Sequence, residues 1–264
     1  MSLIHPTAIV DKNAKIGQNV TIGPYCTIGP NVQLFDDVQL MSHVVVEGHT
    51  SIGSGTKVFP FAALGLPPQH LGHKGEPTRL EIGSNNMIRE SVTMHPGTVI
   101  GGGLTRVGNN CLIMVGCHVA HDCRVGNNII MANNVILAGH VEIGDFAYLG
   151  GMCAVHQFVR VGKHAMLGGM SGLSEDIIPY GFAFGHNRAA LSGLNVVGLK
   201  RRGFNRQQIH TLRTAYRLLF AEEGTMSERL ADVASLYDKE EAVMEIVAFI
   251  NKDAERAICQ PHPD

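Results

Sequence analysis

Five of the fourteen histidines in this 264-residue chain, His95, His118, His121, His140 and His156, carry the chemistry that the sequence offers. A neutral imidazole can take a proton from a hydroxyl near neutral pH, and it is also the commonest metal ligand. Asp122 follows His121 directly, and Gly139 lies eighteen residues beyond it, where the absence of a side chain lets a ligand approach the backbone. Proton transfer and zinc binding are both open to such a set, and either one requires that the residues meet.

The hexad period brings them together. Isoleucine, valine, leucine or methionine returns every sixth residue in an unbroken run from Ile4 to Leu64, again at Ile82, Ile88 and Met94, and then from Val107 to Leu173. Glycine often follows, as in Ile16-Gly17, Ile52-Gly53 and Ile143-Gly144. This is the pattern of a hexapeptide parallel β-helix, in which three hexads close one coil. Residues eighteen apart then stack in a column at the spacing of neighbouring strands, about 4.8 Å. In that register His95, His121, His140 and His156 share one face on four successive coils, and His118 sits at the corner leading into it. None occupies position one or five of a hexad, so none points into the core. The period is interrupted near residues 65–79 and 99–106, both beside this face, and inserted loops of a solenoid tend to cluster on its binding side. Histidines and loops together describe a groove. His43, His49 and His164, also outward in the register, read as solvated surface.

Composition agrees with a thin solenoid core: 45% hydrophobic residues, 6% aromatic, no Trp and 31 Gly. Cys26, Cys111, Cys117, Cys123 and Cys153 all fall at position five, an inward corner that elsewhere holds Ala, Val, Thr or Ser, so they read as small core residues rather than disulfides or metal ligands. A net charge of -2 gives no global field for nucleic acid or a membrane surface. Neither a signal peptide nor a membrane span is evident, which points to the cytoplasm. The expected organisation is a parallel β-helix over 1–189 and a small α-helical domain over 190–264. In the latter, Phe204-Asn205-Arg206-Gln207-Gln208 reads as the N-cap entry to a helix that Gly224 stops, and two more helices span Ser227 to Tyr237 and Lys239 to Ile250. Lys200, Arg201, Arg202 and Arg206 form the dense basic cluster of the chain.

The segments His118-Val119-Ala120-His121-Asp122-Cys123, Leu137-Ala138-Gly139-His140-Val141 and Ala154-Val155-His156-Gln157-Phe158 resemble the UDP-N-acetylglucosamine O-acyltransferases of lipid A biosynthesis. Gly75-Glu76-Pro77-Thr78-Arg79, Ile88-Arg89-Glu90-Ser91-Val92-Thr93 and Gly198-Leu199-Lys200-Arg201-Arg202-Gly203-Phe204 are similar to the same family, and the resemblance covers nearly the whole chain. It implies a left-handed β-helix and a homotrimer with clefts between subunits. The implied reaction is transfer of an (R)-3-hydroxyacyl group from acyl carrier protein to the 3-hydroxyl of UDP-N-acetylglucosamine, with no metal and no cofactor beyond the phosphopantetheine of the donor.

By that resemblance His121 is the general base and Asp122 its partner, although adjacent residues on an extended strand point apart and their contact needs the corner to bend. Gly139 matches the oxyanion donor. Gln69, His70, His95, His118, His140, His156, Gln157, Met166, Asn195, Arg201 and Arg202 match positions that hold sugar nucleotide, acyl chain or phosphopantetheine. Gly169 matches the position that limits acyl length, and without a side chain it should admit a longer chain. The basic cluster would dock the acidic carrier protein. Three departures bear on the acceptor: Gln69-His70-Leu71-Gly72 stands where the family usually reads Gln-Asp-Leu-Lys, Val197 replaces a common carboxylate, and Gly185-His186-Asn187 carries an extra residue. The departures point either to a different acceptor, such as a 3-amino analogue of the sugar, or to compensation by His70 and Lys74, the lysine being displaced by two.

Overall fold

The computed structural model describes residues 2–261. Most hexads contribute a two-residue strand, such as Thr21–Ile22, and a four-residue corner. The strands stack into three sheets of eleven, nine and eight strands that begin at Leu3–Ile4, Ile9–Val10 and Lys15–Ile16, parallel and in register except for the last strand of the first, and form a left-handed parallel β-helix. Connections between parallel strands are otherwise almost always right-handed when they pass through a helix. Here every link is a corner, and the backbone at position four does the turning. Among the described residues, the non-glycine residues with positive φ from Asn19 to Met170 all occupy that position, and Tyr180 takes the same conformation just past the repeat. Asn and Asp tolerate this conformation best, and the bulkier residues found there stack in columns, as Tyr25 on His43 on Phe61.

Position one fills the prism with aliphatic side chains, and Ile22, Ile52, Leu64, Ile88, Met94 and Leu137 are at most 1% exposed. The five position-five cysteines are buried too, and each thiol donates to a carbonyl on the next coil, as Cys123 Sγ does to Ala138 O (3.1 Å) and Cys153 Sγ to Gly168 O (2.9 Å). Burial pushes the Cys111 and Cys117 thiols up to about 11 and Cys123 to about 12, so they are inert as nucleophiles or ligands.

The outward rows differ from sheet to sheet. The first sheet presents Met87, Leu112, Ile130, Tyr148 and Met166. The second presents Thr93, His118, Ile136, Ala154 and Gly172. On the third stand Glu81, Arg106, Arg124, Glu142 and Arg160, a charged ladder.

The two excursions leave between Leu64 and Arg79 and between Met94 and Leu104, so the second begins and ends a few residues before the stretch expected from sequence. Strand Gly181–Phe184 continues the first sheet and pairs antiparallel with Ala190–Leu194, so the chain passes residue 189 inside a hairpin. Among the described residues four helices follow: α1 (Val196–Arg201), α2 (Arg206–Leu219), α3 (Met226–Leu236) and α4 (Glu241–Asn251). The basic cluster lies partly in α1 and partly at the start of α2, and α2 stops five residues before Gly224. Asn205 with Gln208 and Thr225 with Glu228 form capping boxes at the starts of α2 and α3. The α4 helix lies on the last coils through Lys163–Glu245 (2.7 Å), Lys252–Glu142 (3.2 Å) and Phe249, whose ring is 4.3 Å from the Arg160 guanidinium.

Candidate active site

The corner between Val119 of the second sheet and Arg124 of the third builds the site. His121 stands at position three and Asp122 at position four, where the backbone is left-handed (φ 62°). That turn supplies the bend that an extended strand lacks: the Asp122 carboxylate swings back onto its neighbour, and His121 Nδ1 lies 2.8 Å from Asp122 Oδ2. The second excursion closes over the pair. Thr98 donates its N–H to Asp122 Oδ1 (2.8 Å) and its hydroxyl to Oδ2 (2.6 Å), and the Asp122 N–H donates to Thr105 Oγ1 (2.8 Å). Gly101 packs so closely that a Cβ there would sit 2.1 Å from the Asp122 Cγ. The Asp122 side chain is only 1% exposed, while His121 keeps 14%. With Nδ1 on the carboxylate, the other ring nitrogen of His121, Nε2, is left for a ligand.

Gly139 lies on the next coil directly against this ring, and a Cβ on it would stand 2.5 Å from His121 Cε1. Its φ is not positive, so the need for glycine is one of space for the imidazole rather than of a tight turn. The Gly139 N–H meets no protein acceptor among the described residues. His140, at position four, stacks above Asp122 with Nε2 3.6 Å from Oδ2. His121, Asp122 and His140 bring their ligating atoms within 4.8 Å of one another, the one grouping among the described residues that could hold a metal ion.

His70 arrives from the first excursion and sets its ring edge-on to His121, with centroids 5.1 Å apart. His118 opens strand His118–Val119 of the second sheet itself rather than sitting at the corner before it, and its Nδ1 is 2.7 Å from Thr93 Oγ1. His95 is buried against His118, ring to ring at 5.1 Å. Burial, and then the neighbouring imidazoles, push its pKa down to about 4. His118 and His140 are lowered as well, in each case chiefly by burial. Burial thus biases His95, His118 and His140 toward the neutral form. His156 and Gln157 are exposed on the coil above and tied to Arg256, which donates to His156 Nδ1 (2.8 Å) and the Gln157 carbonyl (3.0 Å).

Comparison with known proteins shows what this arrangement belongs to. The profile described as "Udp N-acetylglucosamine O-acyltransferase; Domain 2" matches residues 176–259, that of the bacterial transferase hexapeptide (six repeats) matches 104–139, and that of the GMPPB C-terminal domain matches 1–58. The acyl-[acyl-carrier-protein]–UDP-N-acetylglucosamine O-acyltransferase of Caulobacter vibrioides is 55% identical across 98% of both chains, and that of Bartonella henselae is 50% identical across 98% of this chain and 94% of its own. Among solved structures, the UDP-N-acetylglucosamine acyltransferase of Francisella novicida superposes with a TM-score of 0.95 at 36% identity, covering 99% of this chain and 95% of that one. This chain is a member of the UDP-N-acetylglucosamine O-acyltransferase family. It is an acyltransferase.

Within this acyltransferase the residues expected at the site fall into two groups. His70, His95, His118, His121, Asp122, Gly139 and His140 converge on the corner between the second and third sheets. Met166, Asn195, Arg201 and Arg202 instead line a cavity of about 640 Å³ on the outer face of the first sheet, with Ile130, Tyr148 and Val197. One copy of the chain does not bring these groups together. Gln69 is exposed on the first excursion. Gly169 lies at the corner leading from the first sheet to the second, where a Cβ would meet nothing nearer than the Gly151 carbonyl at 3.4 Å. Asn195 caps α1 by accepting from the Gly198 N–H (3.1 Å) and donates to the His164 carbonyl (2.9 Å).

His164 corrects one expectation. It is only 6% exposed and lies between Phe146 and Tyr180, with ring centroids 4.8 and 5.6 Å away, and burial pushes its pKa down to about 4. The hexad register tells inside from outside of the prism, but not which outer surface the C-terminal segment covers. His43 and His49 are exposed, as read. Sequence reasoning missed Thr98, Thr105 and Gly101, since excursion residues carry no period, and it missed Arg256, which reaches back a hundred residues.

Proposed function

We propose that this enzyme transfers an (R)-3-hydroxyacyl group from acyl carrier protein to the 3-hydroxyl of UDP-N-acetylglucosamine, the first step of lipid A biosynthesis, in the cytoplasm and without a metal. The reading rests on one observation: an imidazole fixed by a buried carboxylate, with an unpartnered backbone N–H stacked on its other side. His121 Nε2 removes the proton of the sugar hydroxyl as its oxygen attacks the thioester carbonyl. The Asp122 carboxylate holds the tautomer and stabilises the imidazolium that forms. Negative charge then develops on the former carbonyl oxygen, where the Gly139 N–H can donate to it. Collapse of the tetrahedral intermediate breaks the carbon–sulfur bond, and the departing phosphopantetheine thiolate takes its proton from the imidazolium.

The outward row of the second sheet supports a track for the acyl chain. It starts at His118 and continues through Ile136, 48% exposed, Ala154 and Gly172, so the surface turns apolar and shrinks with distance from His121. Gly169 near its far end leaves room for a long chain, and a fourteen-carbon donor should outrun a ten-carbon one. The group on the first sheet would meet the corner histidines across the interface of a homotrimer, and the apolar first-sheet row suits such an interface. Arg201 and Asn195 would then reach the nucleotide of a site centred on a neighbouring copy. For the carrier protein, Lys200, Arg206, His210 and Arg213 line one basic cavity of about 480 Å³, in which acidic helices could dock.

His70 beside His121 keeps the 3-amino sugar as a second acceptor to test. Incubation with UDP-N-acetylglucosamine, its 3-amino analogue and hydroxyacyl carrier proteins of ten and fourteen carbons, read by mass spectrometry, decides among them. No acylated sugar nucleotide from any pair would end the proposal.

A further inference from the structure

Asp122 is a buried carboxylate whose contacts include no permanent cation. Among the described residues no lysine or arginine forms a hydrogen bond or ion pair with it; its partners are Thr98, Thr105 and the imidazoles of His121 and His140. A carboxylate withdrawn from water is stabilised by any cation that can reach it. The atoms around it are also those that transition metals prefer: imidazole nitrogens and a carboxylate oxygen.

Two ligand atoms at typical zinc distances of about 2.1 Å and at a tetrahedral angle stand about 3.4 Å apart. The observed separations from Asp122 Oδ2, 2.8 Å to His121 Nδ1 and 3.6 Å to His140 Nε2, bracket that value. Thr98 fixes both carboxylate oxygens from behind, as outer hydrogen bonds fix ligating carboxylates at metal sites. The site remains open on the His121 and His140 side, with 14% and 25% exposure, so an ion can enter and keep a water as fourth ligand. Competing soft ligands are silenced, because all six cysteines are buried and their thiols held protonated.

We propose that His121, Asp122 and His140 form a seat for one divalent transition-metal ion, zinc foremost, and that the ion, bound at Nδ1 of His121, inhibits the enzyme by keeping the imidazole proton on Nε2, the atom that must accept the proton of the acceptor hydroxyl. The seat itself is independent of the acyl-transfer reading; only its inhibitory effect rests on that reading. Zinc chloride is equilibrated with the full-length protein in a non-chelating buffer, and bound metal is counted after dialysis. One ion per chain is expected, with affinity at least tenfold weaker in His140→Ala and in Asp122→Asn. Cobalt(II) added to the wild-type protein should give the intense visible absorption of a four-coordinate site, and zinc should bleach it, a readout that needs no variant to fold. In turnover assays zinc should lower kcat at saturating acceptor, and removal of the ion with a chelator should restore it. Absence of bound zinc overturns the proposal, and so does binding that both variants retain. Binding as expected without any acyl transfer would instead sink the functional reading and leave the seat standing.

Discussion

Asp122 and Asp176 are both buried carboxylates, and the difference between their partners separates the proposed reaction centre from the part that holds the molecule together. Asp176 accepts from the Arg160 backbone N–H and from its Nε, each at 2.7 Å, and its own carbonyl receives the Cys259 N–H from the C-terminal tail. Its charge is met by a guanidinium that does not titrate, stacked in turn on Phe249 of α4. The pair is permanent, and it ties the last coil to the C-terminal segment. Asp122 faces imidazoles instead. A cation appears beside it only when a proton arrives, so the same degree of burial yields a group whose electrostatic stabilisation is available during a reaction rather than stored in the fold.

That contrast predicts opposite phenotypes. His121→Ala should lose about 10²- to 10⁴-fold in kcat with an unchanged denaturant midpoint, which activity assays and urea melts on the same preparation would check; a retained rate would remove His121 from the reaction. Asp176→Ala should do the reverse, costing about 3–5 kcal/mol of stability because it leaves Arg160 buried and unpaired, while activity per folded molecule persists. Gly139→Ala comes next: the added Cβ would drive His121 aside, and a loss of about 10²- to 10³-fold in kcat is expected with little change in melting. Thr98→Val removes one donor to Asp122 and should cost about 1–3 kcal/mol, divided between stability and kcat, and the split measures how far the second excursion serves the site.

Near neutral pH the smallest effect is a slope with pH. His95 and His164 have folded-state pKa values near 4, below the usual imidazole value, so the unfolded chain binds more protons between roughly pH 4 and 6.5. Stability should therefore be fully present above that window and fall as the pH drops through it. His164→Phe, which preserves the stack on Phe146 and Tyr180, should flatten the decline; an unchanged slope would show that His164 is hydrated after all.

Much of the site was legible because the hexad is a ruler. The spacing of eighteen between His121 and Gly139 became a contact in which one residue must be glycine to admit the other's ring. The same count placed the cysteines at inward corners and His43 and His49 outside. It could not foresee that the left-handed corner would turn Asp122 onto His121, since the alternation of an extended strand predicts the contrary. Nor could it reach Thr98 or Gly101, which lie where the period is broken, or the burial of His164 beneath a segment with no repeat of its own.

By itself the sequence determined the solenoid, its core, the face that carries the histidines and the family, because a six-residue period converts position along the chain directly into position in space. The tertiary structure alone decided how the corner turns Asp122 onto His121, what covers the carboxylate, and that Met166, Asn195, Arg201 and Arg202 lie around another face of the same chain. The physical reason is range: strand pairing repeats with the period, whereas excursions, corners and the C-terminal helices are fixed by contacts between residues that no period relates.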